Sequence, residues 1–254
     1  MRPQIGLQLY SLRQQCGENL EQVLMKLAET GYDGVEFYSF YNFEANELKK
    51  LLDKYGLKSI GTHIGIEELK TGLDDLICYS TALGSKYVTL AYYNTEQQDG
   101  WLRLCEVLES AGEKLCEQGL SLLYHNHAHE LIPDVHGERP LEIILKNTTP
   151  QNLSLEVDCY WVKHAGLDPV AYLQNNLGRV RAVHLKDMDK EERKTTEVGT
   201  GIINNAGLYQ ICAEAGFEWV IIEQDEIYID PFASIKISLE NVKKFGERWT
   251  DKNY

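Results

Sequence analysis

The sequence predicts an α/β chain of the (β/α)8 barrel class, and three observations predict it. Eight short apolar runs alternate with amphipathic helical stretches along the whole chain. Glycine recurs where a helix hands over to a strand. The chain has 254 residues, an ordinary length for one such barrel, and 43% of them are hydrophobic, enough for a sizeable core. With no low-complexity segment or composition break, the expectation is one domain over residues 1–254.

Each element has its own reason. The runs Ile5–Ser11, Gly34–Phe37, Ser59–Ile64, Tyr87–Tyr92, Ser121–Asn126, Leu153–Cys159, Val180–Lys186 and Trp219–Asp225 are short and apolar, as buried parallel strands are. Between them, Asn19–Thr30, Ala45–Tyr55, Gly72–Leu83, Trp101–Gln118, Leu141–Lys146, Pro169–Asn175 and Asn205–Ala215 carry a helical pattern. Phe232–Phe245 supplies a last helix after strand eight. The phrases E-T-G-Y-D-G-V-E, K-Y-G-L-K-S-I, A-L-G-S-K-Y-V, E-Q-G-L-S-L-L and E-A-G-F-E-W-V repeat one device: Gly31, Gly56, Gly84, Gly119 and Gly216 end a helix and a buried strand follows. Repeated strand–helix units fit a closed barrel better than a doubly wound sheet. Neither G-x-G-x-x-G nor G-x-x-x-x-G-K-[ST] occurs, so nucleotide binding has no support.

Composition narrows the partners. The net charge is −14 with no basic block, which argues against nucleic acid, whose phosphates need Lys and Arg. A small neutral or metal-chelated molecule fits better, and association of identical chains is compatible with the composition. No segment approaches the apolar length of a membrane span, and M-R-P-Q-I-G-L-Q-L-Y-S-L-R reads as a first strand rather than a signal peptide. Cys16, Cys78, Cys105, Cys116, Cys159 and Cys212 are scattered without a CxxC pair; the expectation is reduced core thiols and a cytoplasmic location.

Four of the apolar runs close on a chemically useful residue: His125 in S-L-L-Y-H, Asp158 in L-S-L-E-V-D, His184 in V-R-A-V-H and Glu223 in W-V-I-I-E. In a parallel barrel, residues far apart in sequence but alike in strand position converge on the face that builds the active site. Two imidazoles and two carboxylates suit one divalent cation. Strand alternation sets Ala182 and Val180 below an inward His184, Glu156 and Ser154 below Asp158, and Ile221 below Glu223 with Asp225 above it; Lys186 faces the mouth. A lumen carboxylate at that depth is costly unless paired or metal-bound. Any one of the four is as readily a hydrogen-bonded loop group; the four together point to a site.

Further candidates surround them. In Y-H-N-H-A-H-E, His127 is expected to line the pocket or orient a neighbour, His129 to face solvent, and Glu130 to bind hydroxyls or act as a base. His63 and Glu36, at the ends of strands three and two, are placed to reach substrate hydroxyls, or to serve as satisfied structural groups. Trp161, Tyr10, Tyr38 and Tyr92 offer faces for sugar C–H surfaces, or ordinary packing. His136 and His164 carry no such signal. The polar stretch Met188–Asn204 leaves the strand of His184 and Lys186, which favours a substrate-covering loop; Gly199 and Gly201 allow close backbone approach or a turn.

At these residues the chain resembles the xylose-isomerase-like barrel superfamily, and within it the sugar phosphate isomerase/epimerase group. The resemblance rests on G-V-E-F (34–37), Y-H-N-H-A-H-E (124–130), E-V-D-C-Y-W-V (156–162), V-H-L-K-D (183–187), V-G-T-G (198–201) and I-I-E-Q-D (221–225), across essentially the whole chain. It implies one divalent metal, Mn²⁺ first, with Mg²⁺, Co²⁺ or Zn²⁺ as alternatives, held at the ends of strands five to eight. Asp158, His184 and Glu223 match the last three ligands. His125 stands where epimerising relatives carry a glutamate, and Trp161 where many carry a histidine.

The resemblance implies first an isomerase or epimerase of a small sugar or keto-sugar acting through an enediolate, with Glu223 as base and Glu130 or His127 returning the proton. Lys186, His63, Glu36 and Trp161 would bind the substrate. The alternative is a lyase or hydrolase that cleaves a 3-keto-glycoside by β-elimination, favoured by the imidazole at position 125. A non-catalytic sugar-binding module and an abasic-site endonuclease are further alternatives; the acidic balance and a ligand set for a single metal argue against the endonuclease.

Overall fold

The computed structural model describes residues 2–97, 99–134 and 137–253, so His136 lies outside the described residues. Eight parallel strands close into a barrel: β1 (Gln4–Gln8), β2 (Gly34–Phe37), β3 (Lys58–Ile64), β4 (Tyr87–Leu90), β5 (Ser121–His125), β6 (Ser154–Asp158), β7 (Val180–Leu185) and β8 (Trp219–Ile222). Each pairs with the next in chain order, and β8 closes on β1. Helices wrap the outside, chiefly α1 (Arg13–Thr30), α2 (Ala45–Tyr55), α3 (Ile66–Thr71), α4 (Leu73–Leu83), α5 (Gly100–Glu117), α6 (Pro140–Lys146), α7 (Cys159–His164), α8 (Pro169–Asn176), α9 (Asn205–Glu214) and α10 (Pro231–Asn253). No helix among the described residues is long and apolar enough to cross a membrane.

The eight expected strands are present with trimmed ends. After Gln8 the chain winds into a 3-10 turn over Leu9–Leu12 instead of continuing extended to Ser11. Cys159 opens α7, and Glu223 lies one residue beyond β8. α3 and α7, six residues each, were not expected from the sequence. α1 starts before Asn19 but is kinked there (φ −159°), and the Asn19 side chain restarts the helix by accepting the Gln22 N–H at 3.0 Å. Gly31, Gly56, Gly84, Gly119 and Gly216 all adopt positive φ, the left-handed conformation a helix end asks of glycine. All six cysteines are free, although Cys78 and Cys116 are exposed rather than in the core.

The lumen below the site is filled by Ile60, Tyr87, Leu123, Ala182, Trp219 and Ile221, a cluster separate from the larger apolar layer between sheet and helices. Gly34 makes room for it: a Cβ there would stand 2.8 Å from the Trp219 ring. Two bulges break the alternation. β2 and β3 shift register between Val35 and Glu36, leaving Ile60 as the extra residue; β6 and β7 shift between Leu155 and Glu156, leaving Arg181. The second corrects one expectation: Val180 packs in the outer layer instead of below His184, because Arg181 absorbs one step of the pleat.

Candidate metal centre and substrate cavity

β5, β6 and β7 present His125, Asp158 and His184 near their C-terminal ends, and Glu223 follows β8. All four are buried, and one ligating atom from each lies within 4.8 Å of the others. Two nitrogens and two oxygens at that spacing can hold a divalent cation. Local hydrogen bonds fix the donors. Asp158 Oδ1 caps α7 by accepting the Trp161 N–H at 3.0 Å, so Asp158 Oδ2 remains for the centre, 3.7 Å from His125 Nε2. The Asn126 side chain clamps the same backbone, accepting the Asp158 N–H at 3.1 Å.

A second tier lies beneath this outer quartet. Glu156 Oε2 is 2.7 Å from His63 Nε2, 3.1 Å from His125 Nδ1 and 3.2 Å from His184 Nε2. Glu36 Oε2 lies 2.8 Å from His184 Nε2 and accepts from Gln8 Nε2, also at 2.8 Å. His125 and His184 therefore each turn one ring nitrogen up toward the quartet and the other down onto a carboxylate. A carboxylate behind a ligating imidazole fixes its tautomer and orientation.

The charges are tightly matched. Burial opposes charge on His184, yet Glu156, Glu223 and Glu36 outweigh it and raise its pKa well above the ordinary imidazole range. Burial likewise opposes charge on His63, and Glu36 and Glu156 push it up to about 10. Burial drives His125 the other way, keeping it neutral. Lys186, fully buried, places Nζ 2.7 Å from Glu223 Oε2, 2.9 Å from Asp158 Oδ2 and 3.0 Å from Asp225 Oδ1. Burial lifts Asp158 to about 6 against the pull of Lys186, whereas Lys186 and His184 overcome burial at Glu223 and hold it well below the usual carboxylate range.

Above the quartet opens a cavity of about 1020 Å³. Its floor includes His125, Lys186 and Glu223; its walls include His127, Trp161 and Asp225, with Tyr10, Tyr38 and Tyr92 at the rim. The His127 and Trp161 rings lie 5.2 Å apart, and burial with the nearby Lys186 ammonium pushes His127 down to about 3. Three expectations need correction. Glu130 is fully buried and does not line the cavity: it accepts from the Tyr124 hydroxyl at 3.0 Å and the His127 N–H at 2.8 Å, so it holds its loop instead of offering a base. Glu36 likewise faces the second tier, as the satisfied structural group that was its alternative, whereas His63 does line the cavity, with its Nε2 against Glu156 and Glu36. His129 is only part-exposed, its Nε2 lying 2.9 Å from the Tyr93 carbonyl.

The stretch after β7 is an ordered loop pinned by one residue. Asp187–Met188 pairs with Thr195–Thr196, and the buried Asp187 carboxylate accepts N–H groups from Met188, Gly199, Gly201 and Ile203. A Cβ on Gly201 would stand 2.3 Å from the Met188 carbonyl, so the glycine is there for close approach. The loop delivers Arg193, Lys194 and Thr195 to the cavity wall. Sequence reading passed over Asn126, Asp187 and the pairing role of Asp225, and saw Glu156 only as lying below Asp158. The signal for Asn126 and Asp187 was adjacency to ligand-bearing strand ends.

Residues 24–245 match the xylose isomerase-like TIM barrel family, and the chain belongs to it, an enzyme family. Inosose dehydratase of Mesomycoplasma hyopneumoniae strain J is 27% identical, over 82% of this chain and 82% of its own length. A sugar phosphate isomerase/epimerase from Parabacteroides distasonis superposes with a TM-score of 0.84 at 23% identity, over 96% of each chain. The structure of IOLI protein with a binding zinc atom superposes with a TM-score of 0.73 at 15% identity, over 99% of each.

Proposed function

We propose that the chain is a metal-dependent lyase that removes water from a keto-sugar or keto-cyclitol by β-elimination, replacing isomerisation or epimerisation as the first reading. One observation carries it: facing Glu223 across the site stand imidazoles, not a second glutamate. His125 ends β5, and Glu130, the next carboxylate along, is tied to Tyr124 and His127. Moving a proton from one face of a carbon to the other calls for acid and base groups on both sides, whereas His125 spends its nitrogens on the quartet and Glu156, and burial keeps His127 from taking up a proton. Elimination closes its proton balance on one carboxylate. The 27% identity to an inosose dehydratase supports the same class.

His125 Nε2, Asp158, His184 Nδ1 and Glu223 would hold the ion, and the mixed nitrogen–oxygen set suits manganese. When bound, such an ion supplies Lewis acidity toward adjacent carbonyl and hydroxyl oxygens. Glu223 removes the proton beside the carbonyl, and the C–H pair becomes a C=C bond as the β C–O bond breaks. The same carboxylate delivers that proton to the departing hydroxyl, which leaves as water. The Lys186 ammonium donates to the oxygen that gains charge, and Asp225 keeps it aimed. His127 and Trp161 hold the ring of the substrate against the wall. Incubation with an inosose in deuterated water tests this. A dehydrated, conjugated product is expected; recovery of a deuterated epimer with no water lost would return the protein to the epimerases.

A further inference from the structure

Beneath the outer quartet a second set of donors converges, and we propose that it is a resting position for a divalent cation, formed by His63 Nε2, His125 Nδ1, His184 Nε2 and a Glu156 oxygen. The proposal rests on the reading of the outer quartet as the working position.

Four observations support an inner position. The three nitrogens already surround Glu156 Oε2 at 2.7, 3.1 and 3.2 Å, and the ligating atoms of the four residues lie within 4.8 Å of one another. Glu156 is fully buried, yet its Oε1 atom has no hydrogen-bond partner. Buried polar atoms rarely go unpartnered, and a cation in the lumen would supply what this one lacks. At the outer position the Lys186 ammonium stands 2.9 Å from Asp158 and 2.7 Å from Glu223, so an ion entering there meets a like charge at close range. No ammonium reaches the inner position among the described residues, and an ion there takes the place of the protons shared between the His63 and His184 rings and the Glu36 and Glu156 carboxylates. Three imidazoles and one carboxylate, finally, form a zinc-type set, richer in nitrogen than the outer quartet.

The positions exclude each other because they share two rings. A neutral imidazole has one lone pair and one N–H. With the ion inside, His184 keeps its proton on Nδ1, 2.8 Å from Glu223; with the ion outside, it keeps it on Nε2, 2.8 Å from Glu36. One ion therefore has two seats, and Lys186 guards the outer one. Asp225, 3.0 Å from Lys186 Nζ, gives the ammonium a partner when Asp158 and Glu223 turn to the metal.

Crystals of the full chain grown with Zn²⁺ and no substrate, mapped by anomalous scattering at the zinc edge, test the inference. The wild-type peak is expected within bonding distance of His63 and Glu156, and in Lys186→Met it should move toward Asp158 and Glu223. In a chelator competition, His63→Ala should weaken zinc binding at least tenfold. A wild-type peak bonded only to Asp158 and Glu223, or unchanged affinity in His63→Ala, overturns the proposal; the wild-type map decides alone should a variant not fold. Peaks at both positions in one molecule would overturn the exclusion. Because no substrate is present, a failed lyase assay leaves this result standing, and a missing inner peak leaves the lyase reading standing.

Discussion

The two halves of the barrel treat the same mouth differently. Strands β5 to β8 bring His125, Asp158, His184 and Glu223 to its floor, where lone pairs face the cavity or one another. Strands β1 to β3 contribute Gln8, Glu36 and His63: Glu36 and His63 turn sideways and down onto His184 and Glu156 of the other half, and Gln8 holds Glu36 from its own side. In the proposed reaction the first half carries the groups that change, and the second, joined by Glu156 of β6, holds them still. A single barrel can do both because every strand ends at the same mouth, and depth in the lumen decides which task a side chain receives.

The sharpest way to break that division is Glu223→Gln. The amide keeps the shape and a partner for Lys186 but cannot take a proton. The expected result is a drop in dehydration rate of about 10²–10⁴-fold, with the far-ultraviolet circular dichroism unchanged, measured on an inosose at saturating Mn²⁺. A variant retaining more than about a tenth of the rate would remove Glu223 from the chemistry and shift attention to Asp225.

Glu36→Gln probes the supporting half and should act through the metal. The His184 Nε2–H loses the charged acceptor that orients its ring. Metal affinity should fall about 10–100-fold while the rate at saturating metal stays within tenfold of wild type, read by chelator titration beside kinetics. An equal loss of rate at saturating metal would place Glu36 in contact with the substrate, and the two halves would no longer differ in kind.

What could be read in advance divides along the same line. The barrel was legible because five helix-to-strand joints carry a glycine and each strand is a short apolar run. The outer quartet was legible because its members end strands, where alternation and topology together dictate convergence. The supporting tier was harder. Glu36 looked like a hydroxyl binder because a glutamate at a strand end points to the mouth in a regular pleat, yet it sits beside the bulge at Ile60, and Glu156 beside the bulge at Arg181. Bulges leave no mark in apolar periodicity. Glu130 was misjudged for another reason: past the end of a strand no alternation rule applies, and its direction depends on Tyr124 and the His127 N–H.

The smallest effect, and the finest measure of how far support extends, belongs to Gln8. Its Nε2 donates to Glu36 at 2.8 Å and its Oε1 accepts the Tyr10 N–H at 3.1 Å, so it ties the start of the first loop to the carboxylate behind His184. Gln8→Leu keeps the volume and removes both bonds. Stability should fall by about 1–3 kcal/mol in urea unfolding, because Glu36 loses a partner in a buried setting and the Tyr10 N–H loses one in a part-buried setting. Glu36 keeps its contact with His184, so metal affinity should change less than in Glu36→Gln, by under tenfold. If Gln8→Leu weakened metal binding as much as Glu36→Gln does, the carboxylate would depend wholly on its amide partner. Support would then run as one rigid chain from β1 to the ion rather than fading with each bond.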